Sequence, residues 1–422
     1  MREIQTRPSI EAVVRIPGSK SITHRALIAA GLAKGESLIH EALSCEDTYY
    51  TIYGLRELGV FISSSGEIMN IAGTGGEFSP SADTKSIYLG NSGTSYRLLL
   101  STVALARGTY ILTGSARMRE RPIRELASAL NKLGAEISWC GHDGFPPVRI
   151  KARGIRGGKV EIGGEASSQY ISSLLLTGPY MENGVEIEVK GTLISRPYVD
   201  VTVAVMRQFG VVVRREHYCH FTIEPGQKYQ PCSFTVEGDV SNASYFWAAA
   251  AVIGGTVTTE NISSLSTNQG DRGFLDILDA MGCQVIRGRD RVTVSRGGVL
   301  SGIDADLGAM PDMVPTLAAI ALFAQGRTTI RNVSHLRYKE SNRIWAIASE
   351  WGRLGARVDE LSDGIIIHGG ERLSATMVDS HDDHRLAMSL AVVGLRVPGI
   401  KIKNEQCVNK SFPGFWELWN RL

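Results

Sequence analysis

No stretch of the chain approaches the roughly 20 consecutive apolar residues of a membrane-spanning helix. Its start, Met1-Arg2-Glu3-Ile4-Gln5-Thr6, lacks the apolar core of a signal peptide, so no membrane partner is expected. Charge of one sign is missing too. Against 45 Lys and Arg stand 43 Asp and Glu, a net charge of +2 over 422 residues, which exerts no general pull toward nucleic acid. Cysteines are few and scattered, at 45, 140, 219, 232, 283 and 407. None forms Cys-x-x-Cys, so neither a zinc site nor a disulfide framework is suggested and a cytoplasmic location is expected. A Gly-x-Ser-x-Gly elbow, a P-loop and a His-Glu-x-x-His pair are all absent from the sequence. That argues against a hydrolase triad, a nucleoside triphosphatase and a zinc enzyme.

What the chain has is a repeat. Gly followed by an alternating strand pattern recurs at Gly35, Gly108, Gly184, Gly255, Gly326 and Gly399, at steps of 71 to 76 residues. A leucine-rich helix ending at Gly and followed by a strand recurs in phase, at Gly59, Gly134, Gly210, Gly282 and Gly355. Two markers with one period near 73 residues indicate six repeats. Each unit reads as apolar helix, strand, second helix and two strands. The sixth is cut short, and residues 2–16, with Ala12-Val13-Val14-Arg15-Ile16, are expected to complete it. Six repeats most simply make two domains of three, one spanning 17–232 and a discontinuous one of 1–16 with 233–422. Two crossings between them, near Pro17-Gly18 and near Gly226–Ser233, suggest a hinge with a cleft as the site.

The apolar helices begin alike. Their starts include Gly18-Ser19-Lys20-Ser21, Gly90-Asn91-Ser92-Gly93-Thr94-Ser95, Ala166-Ser167-Ser168-Gln169, Asp239-Val240-Ser241, Pro311-Asp312 and Asp383-His384-Arg385. Ser, Thr, Asn and Asp cap helices, and a capped, buried helix start presents free N–H groups and a positive dipole end to an anion. Basic residues cluster nearby: Lys20 and Arg25, Arg97, Arg117 to Arg121, Lys339 and Arg343, Arg385, Lys410. Arg binds phosphate or carboxylate through two parallel hydrogen bonds, and Lys acts as a point charge. Substrates with several negative charges are therefore expected. Asp312, Glu340 and His384 are the candidate acids and bases beside these cations. On the residues alone, Asp312 could equally be a helix cap, Glu340 a surface ion pair and His384 a structural histidine.

At these residues the chain resembles the 5-enolpyruvylshikimate-3-phosphate synthase family. The matching motifs run almost end to end: PGSKSITHRALI (17–28), LGNSGTSYRLL (89–99), RMRERPI (117–123), SSQY (167–170), SRPYVDVT (195–202), GDVSNASYF (238–246), PDMVPT (311–316), RYKESNR (337–343), DDHRLAM (382–388) and NKSFPGF (409–415). The resemblance implies an α/β fold of two similar domains, each of three βαβαββ repeats, an inside-out α/β barrel joined by two crossovers. It implies transfer of the enolpyruvyl group of phosphoenolpyruvate to the 5-hydroxyl of shikimate 3-phosphate with release of phosphate, and no metal or cofactor. It also implies that shikimate 3-phosphate is held by Lys20, Ser21, Arg25, Ser167, Ser168, Gln169, Ser195, Tyr198, Asp312 and Lys339. Phosphoenolpyruvate would be held by Lys20, Asn91, Gly93, Arg121, Gln169, Arg343, Arg385 and Lys410. Asp312 would deprotonate the attacking hydroxyl and Glu340 protonate the methylene carbon, with Lys20 and His384 as further catalytic groups. The partners are then small molecules, and a monomer is expected.

Some positions depart from the family pattern. His335 stands where Asn is common, which puts its substrate contact in doubt. Ser341-Asn342 replaces the commoner Thr-Asp, and Ser380-His381-Asp382 precedes Asp383. Two alternatives stay open. The sister enzyme acting on UDP-N-acetylglucosamine shares the repeat plan but typically carries a Cys in the loop equivalent to Gly114–Pro122, where this chain has none. A non-catalytic anion sensor on the same scaffold would be signalled by loss of Asp312, Glu340 or Lys20, and all three are present.

Overall fold

The computed structural model describes residues 1–165, 167–265 and 267–422, so the Ala166 position expected at the third helix start lies outside the described residues. The chain divides into two compact units, Gly18–Val236 and a discontinuous one of Met1–Pro17 with Glu237–Leu422. The boundaries differ slightly from the expected 16/17 and 232/233, for reasons of backbone pairing. The strand Ser233–Thr235 runs parallel to Lys34–His40, with Phe234 opposite Ile39, and so stays with the first unit. The Pro17 carbonyl accepts from the Asp239 amide at 3.0 Å and belongs with the second. Gly18 at the crossing admits no side chain: a Cβ there would lie 1.9 Å from the Glu41 carbonyl oxygen.

The second repeat shows the common plan. The strand Lys85–Tyr88 leads to the helix Gly93–Ala104, the strand Arg107–Thr113, the helix Arg124–Lys132, and the strands Ile137–Trp139 and Val148–Arg153. In its sheet the first strand lies parallel to the second. The second is antiparallel to the last, and the last is antiparallel to the third. The third and fifth repeats have the same order.

Repeats one and four exchange their first strands. Ile10–Arg15 immediately precedes the first apolar helix, yet it pairs in parallel with Gly255–Glu260 of the fourth repeat, Ala12 opposite Val257. Ser233–Thr235 precedes the fourth apolar helix, yet it completes the sheet of the first repeat. This corrects the expectation for residues 2–16. Only Arg2–Glu3 completes the sixth repeat, antiparallel to Lys401–Lys403. The longer segment is taken by the Gly255–Glu260 sheet, whose own preceding strand is engaged elsewhere. Ile10 and Val14 point into that core, as the alternation of a half-buried strand requires.

Each repeat places its apolar helix inside and its sheet outside. Val240–Ile253 is buried on every side from Val240 to Val252, Trp247 included, which is why its sequence shows no polar face. Gly93–Ala104 and Ser168–Thr177 pack together through hydroxyls as well as apolar groups. Ser173 Oγ donates to the Arg97 carbonyl at 2.6 Å and lies 2.6 Å from Ser101 Oγ. Ser244 and Thr316 make the equivalent pair at 3.0 Å in the other unit. Each unit has its own apolar core. Among the described residues, no helix is long and apolar enough to cross a membrane.

Candidate active site

The starts of these internal helices carry many of the candidate side chains, and side-chain caps hold most of these starts. Ser92 accepts from the Ser95 amide at 3.4 Å, Ser167 from Gln169 at 3.2 Å, Asp239 from Asn242 at 3.0 Å and Asp383 from Arg385 at 3.0 Å. Ser19 makes no such bond at Lys20–Leu32. Asp312 lies in a short turn, Pro311–Met313, ahead of Val314–Ala321, and both of its oxygens accept from arginines instead.

In the unit Gly18–Val236 the central group is Arg25, which is 1% exposed. Its Nε donates to Thr202 Oγ1 at 2.7 Å and its Nη1 to the Ser21 carbonyl at 2.8 Å. Its Nη2 donates to Ser172 Oγ at 3.3 Å and to the Tyr198 carbonyl at 3.1 Å. All four partners are neutral. Burial pulls its pKa down to about 10, so it stays a cation at neutral pH. A buried cation without a carboxylate is costly, and an anionic ligand removes the cost.

Three further groups stand near helix starts in this unit. Lys20 pairs with the buried Asp47 at 2.8 Å. The Asp47 carbonyl in turn accepts from Ser95 Oγ at 2.8 Å, which ties that pair to the start of Gly93–Ala104. Arg97 donates to Gln169 Oε1 at 2.8 Å, and Gln169 Nε2 donates to Thr94 Oγ1 at 3.1 Å. Arg121 is buried and donates to the Asn91 carbonyl at 3.1 Å. A Cβ on Gly93 would meet the Arg121 guanidinium at 2.5 Å, so glycine there keeps that guanidinium in place. Ser168 is buried in the first turn of its helix behind the Ser167 cap. Ser195 adopts φ +51, a left-handed backbone, and its carbonyl accepts from the Tyr198 amide at 3.1 Å.

In the other unit Arg343 is the hub, also 1% exposed. Its Nε donates to Asp383 Oδ2 at 2.7 Å, its Nη1 to Asp312 Oδ1 at 3.0 Å and its Nη2 to Glu340 Oε2 at 2.8 Å. Burial opposes its charge, but Asp383, Glu340 and Asp312 outweigh burial and raise its pKa above the ordinary arginine value. Arg385 Nη2 donates to Asp312 Oδ2 at 2.7 Å. One connected group therefore joins the two candidate carboxylates to two guanidiniums. Glu340 is no surface ion pair: its side chain is 10% exposed and faces a buried arginine. His384 is buried, with Nδ1 3.9 Å from Asp383 Oδ1. Lys410 is buried at the end of the turn Glu405–Lys410, which packs on His384–Gly394. Lys339 is half-buried just before Glu340. Burial, then Lys339, push the pKa of His335 down to about 3, so it is neutral, and its Nε2 has no hydrogen-bond partner among the described residues.

Several of these partners escaped sequence reasoning. Asp47, Ser172 and Thr202 lie far along the chain from the cations they hold, and no motif marks the first two. Asp383 was visible within its motif, but its double use as helix cap and Arg343 partner depends on packing. This chemistry, a buried cation facing neutral groups and two carboxylates clamped by arginines, suits small polyanions.

Comparison with known proteins points to a family. The EPSP synthase (3-phosphoshikimate 1-carboxyvinyltransferase) family profile matches residues 4–419. The 3-phosphoshikimate 1-carboxyvinyltransferase of Methanoculleus marisnigri is 47% identical over 418 residues, 99% of this chain and 98% of that protein. The enzyme of the same name from Shewanella pealeana is 40% identical over the full length of both. Among solved structures, EPSP synthase from Acinetobacter baumannii superposes with a TM-score of 0.81 at 30% identity, covering 99% of this chain and 97% of the other. Similarity of that extent, carried through every repeat, means that this chain belongs to the EPSP synthase family.

Proposed function

We propose that the protein transfers the enolpyruvyl group of phosphoenolpyruvate to the 5-hydroxyl of shikimate 3-phosphate, giving 5-enolpyruvylshikimate 3-phosphate and phosphate. Arg25 is the observation that carries the reading: a buried cation with only neutral partners asks for an anion such as the shikimate phosphate. Ser21, Ser167, Ser168, Gln169, Ser195, Tyr198 and Lys339 are assigned to the same substrate. Arg121 beside Asn91 and Gly93, with Arg343, Arg385 and Lys410, is assigned to the carboxylate and phosphate of phosphoenolpyruvate, where guanidinium forks match the ligand.

Asp312 takes the proton of the 5-hydroxyl as its oxygen bonds to the enol carbon, and Glu340 gives a proton to the methylene carbon, which becomes methyl. The product of this addition is a tetrahedral ketal. In the second half the bond to the phosphate oxygen breaks with its electron pair on phosphate. A methyl proton returns to Glu340, regenerating the enol ether. Lys20 and His384 are assigned to proton supply at the departing phosphate and to support of that site. The cations fix both reactants and meet the charge on the leaving group, the positioning and electrostatic part of catalysis. The reading places the protein in the cytoplasm, as a monomer.

Arg25→Ala tests it. The variant should fold and should raise KM for shikimate 3-phosphate by at least about tenfold, the loss of one charge-assisted contact. KM for phosphoenolpyruvate should change less than about threefold. An unchanged KM for shikimate 3-phosphate would contradict the assignment.

A further inference from the structure

Glu350 is a buried carboxylate that the chemistry above leaves unused. It lies on the helix Arg343–Arg353 and is 1% exposed. It stands about two turns after Arg343, so both side chains leave one face of that helix. Arg343 grips Asp383, and Glu350 grips the turn just before it. The Asp379 amide donates to Glu350 Oε2 at 2.9 Å, and His381 Nε2 donates to Glu350 Oε1 at 2.9 Å. Arg353 also faces Glu350, at 3.6 Å. The His381 amide donates to Asp379 Oδ1 at 2.8 Å, and Trp345 packs edge-on against the His381 ring. These contacts hold a backbone that residues with side chains rarely adopt, with φ +51 at His381 and +55 at Asp382. Such a backbone persists only where its surroundings over-determine it, and it gathers at functional sites.

The turn joins the strand Met377–Asp379 to the helix His384–Gly394. The residue that follows it, Asp383, accepts from the Arg385 amide at 3.0 Å, from Arg343 Nε at 2.7 Å and from Ser341 Oγ at 3.1 Å. The Arg385 guanidinium leaves the first turn of that helix and reaches Asp312 Oδ2 at 2.7 Å and the Tyr245 hydroxyl at 3.4 Å. Hydrogen bonds and backbone thus connect Glu350 to that guanidinium without a break. We propose that Glu350 and His381 are positioning residues for the phosphoenolpyruvate site: they strut the turn and so set the aim of Arg385. The proposal rests on Arg385 binding phosphoenolpyruvate. Glu350 suits the task because its two oxygens accept from the backbone amide and the imidazole at once. Without the imidazole the turn is free to relax toward negative φ, which shifts the helix start and moves Arg385 off the anion.

Steady-state kinetics of phosphate release by the full chain test this. His381→Ala should raise KM for phosphoenolpyruvate about tenfold while moving KM for shikimate 3-phosphate less than about twofold, the effect of a misplaced binding group. His381→Gln should bring KM for phosphoenolpyruvate back to within about twofold of wild type, because its amide N–H can donate to Glu350 from the place of the ring Nε2. A purely structural role would lower Tm and leave both KM values in place, and that result overturns the proposal. So does an equal rise in both KM values, or a His381→Gln variant no better than His381→Ala. If His381→Ala does not fold, Glu350→Gln takes its place: it should raise KM for phosphoenolpyruvate about fivefold by weakening one of the two contacts, and an unchanged value overturns the proposal. Arg385→Ala separates the two levels of the argument. An unchanged KM for phosphoenolpyruvate in that variant refutes the assignment of Arg385 and this inference with it, whereas a raised KM there with unmoved His381 variants refutes only the strut.

Discussion

Asp312, the proposed base, is held by two cations. Arg343 and Arg385 each take one oxygen, which fixes the carboxylate plane. Asp312→Ala should reduce kcat by about two to four orders of magnitude, the usual contribution of a positioned acid or base. KM for each substrate should move by less than about threefold, and steady-state kinetics with both substrates check it. Gly93→Ala probes the neighbouring claim. Its methyl group would meet the buried Arg121 guanidinium at 2.5 Å and force it aside. KM for phosphoenolpyruvate should rise about tenfold, equivalent to about 1.4 kcal/mol, with KM for shikimate 3-phosphate nearly unchanged. At this scale the sequence exposed the cations and the paired acids, because each lies in a compact motif at a helix start. It hid their holders. Thr202 and Arg25 are 177 residues apart and Lys20 and Asp47 are 27 apart, so only the folded chain brings them together.

Between elements, the turn that aims the last apolar helix stores strain. His381 and Asp382 adopt φ +51 and +55 in succession, each costing on the order of 1–2 kcal/mol for a residue with a side chain. Three contacts hold the turn: His381 Nε2 to Glu350 Oε1 at 2.9 Å, the His381 amide to Asp379 Oδ1 at 2.8 Å, and Asn404 Nδ2 to Asp382 Oδ1 at 2.9 Å. The Glu350 hydrogen bond raises the pKa of His381 above 6.5. Burial opposes charge on Glu350, but His381 and the Asp379 amide win and lower its pKa below 4.5. The pair therefore stabilises the fold fully between pH 4.5 and 6.5. Its contribution fades as His381 loses its proton at higher pH and as Glu350 gains one at lower pH. His381→Ala should cost up to about 1 kcal/mol at pH 6 and clearly less at pH 9, read as the difference in Tm at the two values. An equal loss at both would mean that the ring acts only by packing on Trp345. The repeat elements were legible in their period. The strand exchange was not, because Ile10–Arg15 and Ser233–Thr235 have the β character of any first strand, and their partners are chosen by which sheet lacks one.

On the scale of the whole molecule, a net charge of +2 conceals a strongly ordered distribution. Cations are gathered at the starts of the internal helices, while exposed pairs such as Arg331 with Asp304 cancel one another elsewhere. Composition alone does not single out these helix starts; the sixfold period does, because it shows that one helix start recurs. The same period is shared with the enzyme acting on UDP-N-acetylglucosamine, so the acceptor is the claim most worth testing. The direct measurement is phosphate release from phosphoenolpyruvate by the full chain, in the presence of a chelator, with shikimate 3-phosphate and UDP-N-acetylglucosamine offered separately. Release with shikimate 3-phosphate alone is the predicted result. Release with the nucleotide sugar alone, or with neither from a folded protein that still binds phosphoenolpyruvate, would contradict it.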